Sequence, residues 1–250
     1  MTKIVTFIAE KGGTSRSSVV FSSSWLLAAK GKKVLIIDMD GQAANVSYYA
    51  GVNKTPDMHT LVDLFKGVDI KDTIVNIKEN LDIIPANAEL TNLGQTAKLS
   101  VLKKAVRSIP EYDYVFIDVN PTPGWTHFLS LSVSDSAIIV SLPDVACLKA
   151  NEGILESIDE IQNSSNPNLE LLGILFGKNE NRTSMAQQVH EFAESMAQRA
   201  GTTVFNASIR NSVVMGELVA AHKGISDYAP KSPVAGDFDE FVHELLAKIE

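Results

Sequence analysis

Short runs of apolar residues alternate with longer segments of mixed polarity along the whole chain. Runs rich in β-branched residues predict buried strands from residue 4 and at 34–37, 81–85, 114–118, 136–142, 169–176 and 203–205. Helical patterns occur at 19–30, 59–65, 99–109, 150–162, 184–199, 213–222 and 238–249, and loops are expected at 50–56, 120–124 and 177–182. Because parallel strands need a crossover connection, this alternation predicts an α/β fold with a mostly parallel sheet and helices on both faces.

The composition is that of an ordinary globular chain. Its 250 residues are 45% hydrophobic, and no internal repeat or Gly- and Ser-rich linker divides them, so one domain over 1–250 is expected. The single cysteine, Cys147, excludes an internal disulfide. Without a signal-peptide pattern or a membrane-length apolar run, the sequence favours a cytoplasmic protein.

A glycine turn follows the first predicted strand and precedes the first predicted helix. Gly12 and Gly13 let the backbone turn without a Cβ penalty, and small hydroxyl residues come after them. This arrangement aims backbone N–H groups and a helix dipole at a phosphate group. The ordinary pattern G-x-x-x-x-G-K-[ST] is not met, although Arg16 and Ser17 keep a basic residue and a hydroxyl in register. The alternative is a plain β-turn-α crossover that binds no ligand.

Carboxylates follow two other predicted strands. Asp38 and Asp40 end the second strand, and Asp118 ends the strand at 114–118. Open α/β sheets bind ligands at the carboxyl ends of their strands. There such groups hold the hydration shell of Mg²⁺ or orient a water, although a strand-end or helix-capping carboxylate is the simpler explanation for each alone.

These motifs together resemble the ParA/MinD family of deviant Walker A ATPases, and most closely the ParA-type partition proteins. Lys11-Gly12-Gly13 with Arg16-Ser17-Ser18 is similar to the family loop K-G-G-x-G-K-[TS]-T, and 38–45 to the segment D-x-D-P-Q-x-N. Further matches occur in order along the chain at 81–87, 112–118, 182–183 and 228–232. The resemblance implies a single-domain P-loop NTPase-like fold that binds ATP and Mg²⁺.

The resemblance also assigns residues to roles. It implies that Ser17, Asp38 and Asp118 form the metal site. Asp40 would orient the attacking water, Lys11 would reach the partner's nucleotide across a dimer interface, and Arg16 would contact the phosphates. The implied nucleotide-binding residues are Lys11, Gly12, Gly13, Thr14, Ser15, Arg16, Ser17, Ser18, Lys178 and Arg210.

Three departures from the family pattern bear on turnover. Ser15 replaces the second loop glycine, and a Cβ there costs about 1–3 kcal/mol if the position needs a positive φ. Arg16 replaces the phosphate-bridging lysine and brings a wide planar fork in place of a compact ammonium. Asn120 replaces the first proline of the loop that senses the γ-phosphate in the family. We therefore expect weak or partner-stimulated ATP hydrolysis. The alternatives are a non-hydrolysing nucleotide-binding regulator or scaffold, and a positioning protein for a non-DNA cargo.

The resemblance implies particular partners as well. They are a second copy of the chain in the presence of ATP, a centromere-binding ParB-like protein, and non-specific DNA in the cytoplasm or at the nucleoid. A formal net charge of −8 predicts weak DNA binding, through a local patch that includes Arg210, Lys223 and Lys231. The acidic segment 237–246 predicts a docked C-terminal helix rather than a membrane anchor.

Overall fold

A computed structural model describes residues 1–42, 45–53, 55, 57–94, 98–179 and 184–250, with side chains in the helix at 184–199 described from 187 onward. The described residues form one eight-stranded sheet in the order β3-β4-β2-β5-β1-β6-β7-β8. The strands are β1 Lys3–Ile8, β2 Val34–Met39, β3 Val75–Lys78, β4 Leu81–Ile84, β5 Tyr114–Val119, β6 Ser136–Ser141, β7 Glu170–Asn179 and β8 Val204–Arg210. Every neighbouring pair is parallel except β3 and β4. The predicted α/β fold with a mostly parallel sheet is confirmed.

Helices connect the strands and cover the sheet. They are α1 Arg16–Ala29, α2 Val46–Tyr49, α3 Leu61–Phe65, α4 Leu90–Leu93, α5 Leu99–Arg107, α6 Trp125–Val133, α7 Val145–Gln162, α8 Ser184–Arg199, α9 Val214–Ala220, α10 Ile225–Tyr228 and α11 Pro233–Ile249, with a 3₁₀ turn at Ile70–Thr73. Among the described residues, none of these helices combines the length and apolarity that a membrane crossing requires.

The central strands are buried on both faces. All six residues of β5 are buried, and alternate residues enter different cores because successive side chains of a strand point to opposite faces. Val115 and Ile117 pack with residues of α5 to α8, whereas Tyr114 and Phe116 pack with residues of α1 and α11. Continuous apolar runs are therefore the signature of this sheet.

The boundaries of several elements differ from the sequence-based prediction. Helix α1 begins at Arg16 rather than at residue 19, and α7 begins at Val145 rather than at 150 because Asp144 caps its first turn. Strand β8 continues to Arg210 instead of ending at 205, and β7 runs to Asn179 into the predicted loop at 177–182. The predicted match at 182–183 lies outside the described residues.

Several described elements were missing from the prediction, namely strand β3, helices α2, α4, α6 and α10, and the 3₁₀ turn. Strand β3 lies at the sheet edge, and its partly exposed residues lack an apolar run. Helix α6 begins just beyond the predicted loop at 120–124, where no element was predicted, and Ser130 and Ser132 interrupt its apolar pattern. The C-terminal helix α11 is docked as predicted, with Phe238 and Phe241 fully buried.

The strand order brings three loops to one edge. Strand β1 lies beside β5, and β5 lies beside β2, with all three parallel. The carboxyl ends of these strands therefore lie together, where open α/β sheets bind ligands. The segments that leave them are 9–15, 40–45 and 120–124.

Candidate functional site

The glycine turn after β1 uses two residues with left-handed backbone conformations. Gly13 has φ +80°, and Ser15, the residue before α1, has φ +72°. The expectation that position 15 needs a positive φ is confirmed. For a residue with a Cβ this conformation costs about 1–2 kcal/mol. The rest of the loop therefore stabilises Ser15 in a backbone conformation that serine disfavours.

Strand β7 packs directly against this turn. A Cβ at Gly177 would lie 2.3 Å from the backbone oxygen of Thr14. Only a glycine permits this approach, and the next residue, Lys178, has φ +49°. Lys178 was predicted as a site residue and Gly177 was not, although a glycine just after a predicted strand is the signal that could have identified it.

The turn borders a cavity of about 200 Å³. Its lining includes nine of the ten predicted nucleotide-binding residues, which are Lys11, Gly12, Gly13, Thr14, Ser15, Arg16, Ser17, Ser18 and Lys178. It also includes Asp40, and three residues that the sequence analysis missed, Gln42, Tyr49 and Pro121. With backbone N–H groups at a helix start and basic side chains at the rim, this cavity suits a phosphate-bearing ligand.

Arg16 connects the turn to the carboxylates. Its Nε donates to Oδ1 of Asp118 at 2.6 Å, and its Nη2 lies 3.5 Å from Oδ2 of Asp40. The Arg16 side chain is 6% exposed and that of Asp118 is fully buried. One guanidinium therefore lies between two residues that the resemblance assigned to the metal ion and the attacking water.

Asp38 lies beside Asp118 in the register of β2 and β5. Its two oxygens accept hydrogen bonds from the backbone N–H groups of Asp40 and Ser47, and the Ser47 hydroxyl also donates to it. Burial, and then the charge of Asp118, raises the pKa of Asp38 to about 7. Asp38 thus holds the segment after β2 against the start of α2.

The segment after Asp40 forms an ordered turn. Oδ1 of Asp40 accepts from the backbone N–H of Gln42 at 3.0 Å, and the Asn45 side chain donates to the backbone oxygen of Asp40 at 2.6 Å. The Asn45 side chain also caps α2 by accepting from Tyr48 N at 3.1 Å. These bonds explain why the motif needs an asparagine at 45. Ala43 and Ala44 lie outside the described residues.

The loop after β5 is held by its own helix. Oδ1 of Asn120 accepts from the Thr126 hydroxyl at 2.8 Å, and its backbone oxygen lies 2.8 Å from Nε2 of His127. Burial lowers the pKa of His127; the Asn120 bond opposes this shift, and the charge of Arg16 adds to it. Asn120 therefore helps to start α6, and His127 holds the loop after β5 without belonging to the described lining of the cavity.

Arg210 lies at the end of β8, in register with Asn179 at the end of β7. Its Nε and Nη2 each lie 2.7 Å from an oxygen of Asp237, and its backbone N–H also donates to that carboxylate. The described lining of the cavity does not include Arg210. Its assignment to the nucleotide site stays a prediction.

The carboxylates leave one open oxygen for a magnesium ion. Mg²⁺ needs oxygen ligands at about 2.0–2.1 Å in near-octahedral geometry. Oδ1 of Asp118 and Oδ2 of Asp40 both face the Arg16 guanidinium, whereas Oδ2 of Asp118 is buried and has no hydrogen-bond partner among the described residues. Asp38 already accepts hydrogen bonds on both oxygens, so Asp118 and the Ser17 hydroxyl are the groups that would hold the ion, together with phosphate oxygens and water.

Comparison with known sequences finds relatives over nearly the whole chain. A family profile described as an AAA domain (AAA_31) matches residues 2–171, which include the glycine turn and all three aspartates. The chromosome partitioning protein ParA of Caulobacter vibrioides is 27% identical over 256 residues, covering 98% of this chain and 94% of ParA.

Comparison with solved structures finds the same fold. Apo McdA from Cyanothece aligns with a TM-score of 0.87 at 19% identity, covering 98% of this chain and 100% of McdA. The septum site-determining protein MinD from Pyrococcus horikoshii, complexed with Mg-ADP, aligns with a TM-score of 0.78 at 24% identity, covering 99% and 98%. Magnesium and nucleotide are thus present in a structure that shares this fold.

Proposed function

The chain belongs to the ParA/MinD family of deviant Walker A ATPases, and from this premise we propose that it is an ATP-dependent switch in plasmid or chromosome partition. In this proposal the chain dimerises over ATP, binds DNA without sequence preference, and is reset by a centromere-binding ParB-like partner. Similarity to the Caulobacter vibrioides partition protein over nearly the full length of both chains supports this choice.

One observation carries the proposal, the placement of the glycine turn. It lies at the carboxyl edge of the central strands, begins α1, and borders a cavity with Lys11 and Lys178 in its lining. The β- and γ-phosphates of ATP would lie against the N–H groups of the turn and the first turn of α1. Lys11 is half-buried there. In a dimer it would neutralise the partner's triphosphate, which two facing nucleotides require.

The proposed hydrolysis is slow. Phosphoryl transfer depends on positioned charges and a positioned water. Asp40, the proposed water-orienting residue, and Asp118 both face Arg16. A carboxylate that faces a guanidinium is less able to hold a water, so turnover without a partner would be low.

The same contacts favour a second candidate function, a non-hydrolysing regulator that uses nucleotide only to change its assembly state. In that case Arg16 would hold Asp40 and Asp118 throughout, and a partner protein would not stimulate phosphate release. Phosphate release with ATP, DNA and a ParB-like partner separates the two functions.

DNA binding in this proposal uses a small basic patch, defined as Lys223 and Lys231 with Arg210. Both lysines are exposed, and the Arg210 side chain is 52% exposed although Asp237 neutralises it. Each phosphate that the patch neutralises contributes about −0.9 to the slope of log K against log salt. With a net charge of −8, binding should be weak at moderate salt.

The experiment titrates random duplex DNA with the chain, at several salt concentrations, in the presence of ATP, ADP or no nucleotide. We expect retention only with ATP, and a shallower salt slope in a Lys223→Gln, Lys231→Gln double variant. Lys103→Gln, which changes an exposed lysine on α5, is the matched control. Absence of DNA binding at low salt with ATP would contradict the partition function. The non-hydrolysing regulator would then be the remaining candidate.

A further inference from the structure

We propose that the groove between α7 and α8 is a docking surface for a cationic amphipathic helix of a partner protein. The groove has a volume of about 530 Å³, and its described lining comes from α7, the end of α8 and the start of β7. It shares no residue with the described lining of the cavity at the glycine turn. A partner bound there would therefore use a surface separate from the proposed nucleotide site, and this docking goes beyond the proposed function.

One edge of the groove carries a row of carboxylates. Glu152, Glu156 and Asp159 follow one another at spacings of four and three residues on α7, so they share one face of the helix over about two turns. All three are exposed, and none makes an ion pair within the described part of the chain. Like charges at this spacing destabilise a helix, so the stability of α7 does not account for the row. Uncompensated carboxylates on one face are complementary to lysine or arginine on a partner.

The side chain of Glu10 adds a fourth carboxylate beside this row. A Cβ on Gly153 would lie 2.5 Å from Oε1 of Glu10, so Glu10 packs against α7 about one helical turn from Glu156. Burial, and then the charge of Glu156, raises the pKa of Glu10. Glu10 makes no ion pair with the described lysines and arginines. A partner cation at this edge would therefore relieve the repulsion between the two glutamates.

The floor of the groove is apolar. Ile158 and Met196 are buried, and Leu155 and Leu171 are partly buried against the same core. A small polyvalent cation would neutralise the carboxylates but leave this apolar surface in contact with water. An amphipathic helix covers the floor with apolar side chains and brings its cations to the row on α7. The combination of floor and edge therefore favours a helix of a protein over a small cation.

The rim formed by α8 differs in charge from the edge formed by α7. Arg199, in the last turn of α8, is exposed and makes no ion pair among the residues that the structure describes. The described lining therefore holds three carboxylates against one guanidinium. An excess of negative charge repels nucleic acid and other polyanions and favours a cationic partner. On a docked helix, lysine or arginine would face α7, and an acidic or amide side chain would face Arg199.

The test is fluorescence anisotropy of a labelled synthetic peptide titrated with the full chain. The peptide has about 18 residues, with leucine on one helical face and lysine on the other, since shorter isolated helices are marginal in water. We expect saturable binding that Glu152→Gln, Glu156→Gln and Asp159→Asn together weaken by at least about tenfold. Leu155→Ala leaves the charge unchanged, and it should weaken binding by at least about threefold because apolar contact is lost.

The matched control removes the same charges elsewhere on the surface. Glu79→Gln, Glu111→Gln and Asp72→Asn together change two glutamates and one aspartate at exposed positions outside the described lining of the groove. This variant should bind the peptide within about twofold of the wild type. A scrambled peptide of the same composition does not separate its lysines from its leucines on a helix, so it should bind the wild type at least about tenfold more weakly.

The outcomes separate docking from simple charge attraction. Equal weakening by the groove variant and the control variant would show that only net charge matters, and it would overturn the docking surface. Equal affinity for the two peptides would overturn the amphipathic helix as the occupant, and absence of binding by the amphipathic peptide would overturn the whole proposal. If the groove variant does not fold, as judged by circular dichroism, the two peptides still decide the question with the wild type.

Discussion

Gly177 and Thr14 are separated by most of the domain in sequence, yet a Cβ on Gly177 would come within 2.3 Å of the Thr14 backbone oxygen. The end of β7 therefore packs directly against the backbone of the glycine turn. A methyl group there must move either the strand or the turn, and both contribute to the cavity lining. The consequence is measurable in stability and in nucleotide binding.

Gly177→Ala should therefore destabilise the fold by about 1–3 kcal/mol, as overpacking of a close contact does. It should also weaken ATP binding, because the displaced turn no longer aims its N–H groups at the phosphates. Chemical denaturation and ATP titration measure the two effects. Gly216→Ala in α9 is the control, since among the described residues a Cβ there has no atom within 4 Å apart from its chain neighbours and the backbone of its own helix. Equal stability of the two variants would contradict the packing of β7 against the turn.

Ser15→Gly with Arg16→Lys should increase single-turnover ATP hydrolysis more than either change alone. Glycine relaxes the left-handed position at 15, and lysine releases Asp118 and Asp40 from the guanidinium. Because the neighbouring residues act on one phosphate, the effects should not be additive. A gain on the order of 100-fold corresponds to correcting a misplacement of about 1 Å.

The double revertant should still need Asp40, so adding Asp40→Ala should abolish the gain. Family-like turnover in the wild type, unchanged by reversion, would show that Arg16 is a working substitute for lysine. A double revertant that binds ATP but stays inactive would instead place the defect elsewhere, with Asn120 as the next residue to change.

Lys11→Ala should abolish an ATP-dependent increase in mass. In the proposed dimer each Lys11 neutralises the partner's triphosphate, and removing one member of a buried charge pair costs about 3–5 kcal/mol. Light scattering with and without ATP measures the change. Lys104→Ala, at an exposed position on α5, serves as the control and should dimerise as the wild type does. A Lys11 variant that dimerises normally would contradict the cross-dimer role.

His127 should stay neutral below pH 6.5. Burial lowers its pKa, the hydrogen bond to Asn120 opposes the shift, and the charge of Arg16 adds to it. Long-range ¹⁵N NMR should show a neutral ring with its proton on Nε2, because Asn120 O at 2.8 Å can only accept. A titration midpoint at or above 6.5 would contradict this prediction.

The lowered pKa of His127 also determines the direction in which the free energy of unfolding changes with pH. A folded-state pKa below the unfolded value stabilises the fold above about pH 6.5, and that contribution is lost as pH falls through the folded pKa. Asp38 acts oppositely, since its pKa of about 7 gives a contribution that is lost as pH rises. The difference in unfolding free energy between wild type and His127→Gln isolates the histidine, and it should narrow as pH falls below 6.5.

The strands of the sheet interior were predictable because they are buried on both faces. A segment such as β5, with all six residues buried, must be apolar regardless of its neighbours. Strand β3 lies at the edge, where partial exposure removes that requirement, and α6 mixes serines into its buried face. These two elements, like the short helices α2, α4 and α10, became visible only with the tertiary structure.

The sequence by itself determined the chemistry that the candidate site offers, because glycine turns, helix starts and strand-end carboxylates are local features. Only the tertiary structure decided which of these groups meet. Arg16 and Asp118 are 102 residues apart, and they form a pair because β1 lies directly beside β5. Gly177 reaches Thr14 through the packing of β7 near the turn, and Arg210 binds Asp237 of α11. Such contacts depend on strand order and side-chain direction, which no local pattern specifies.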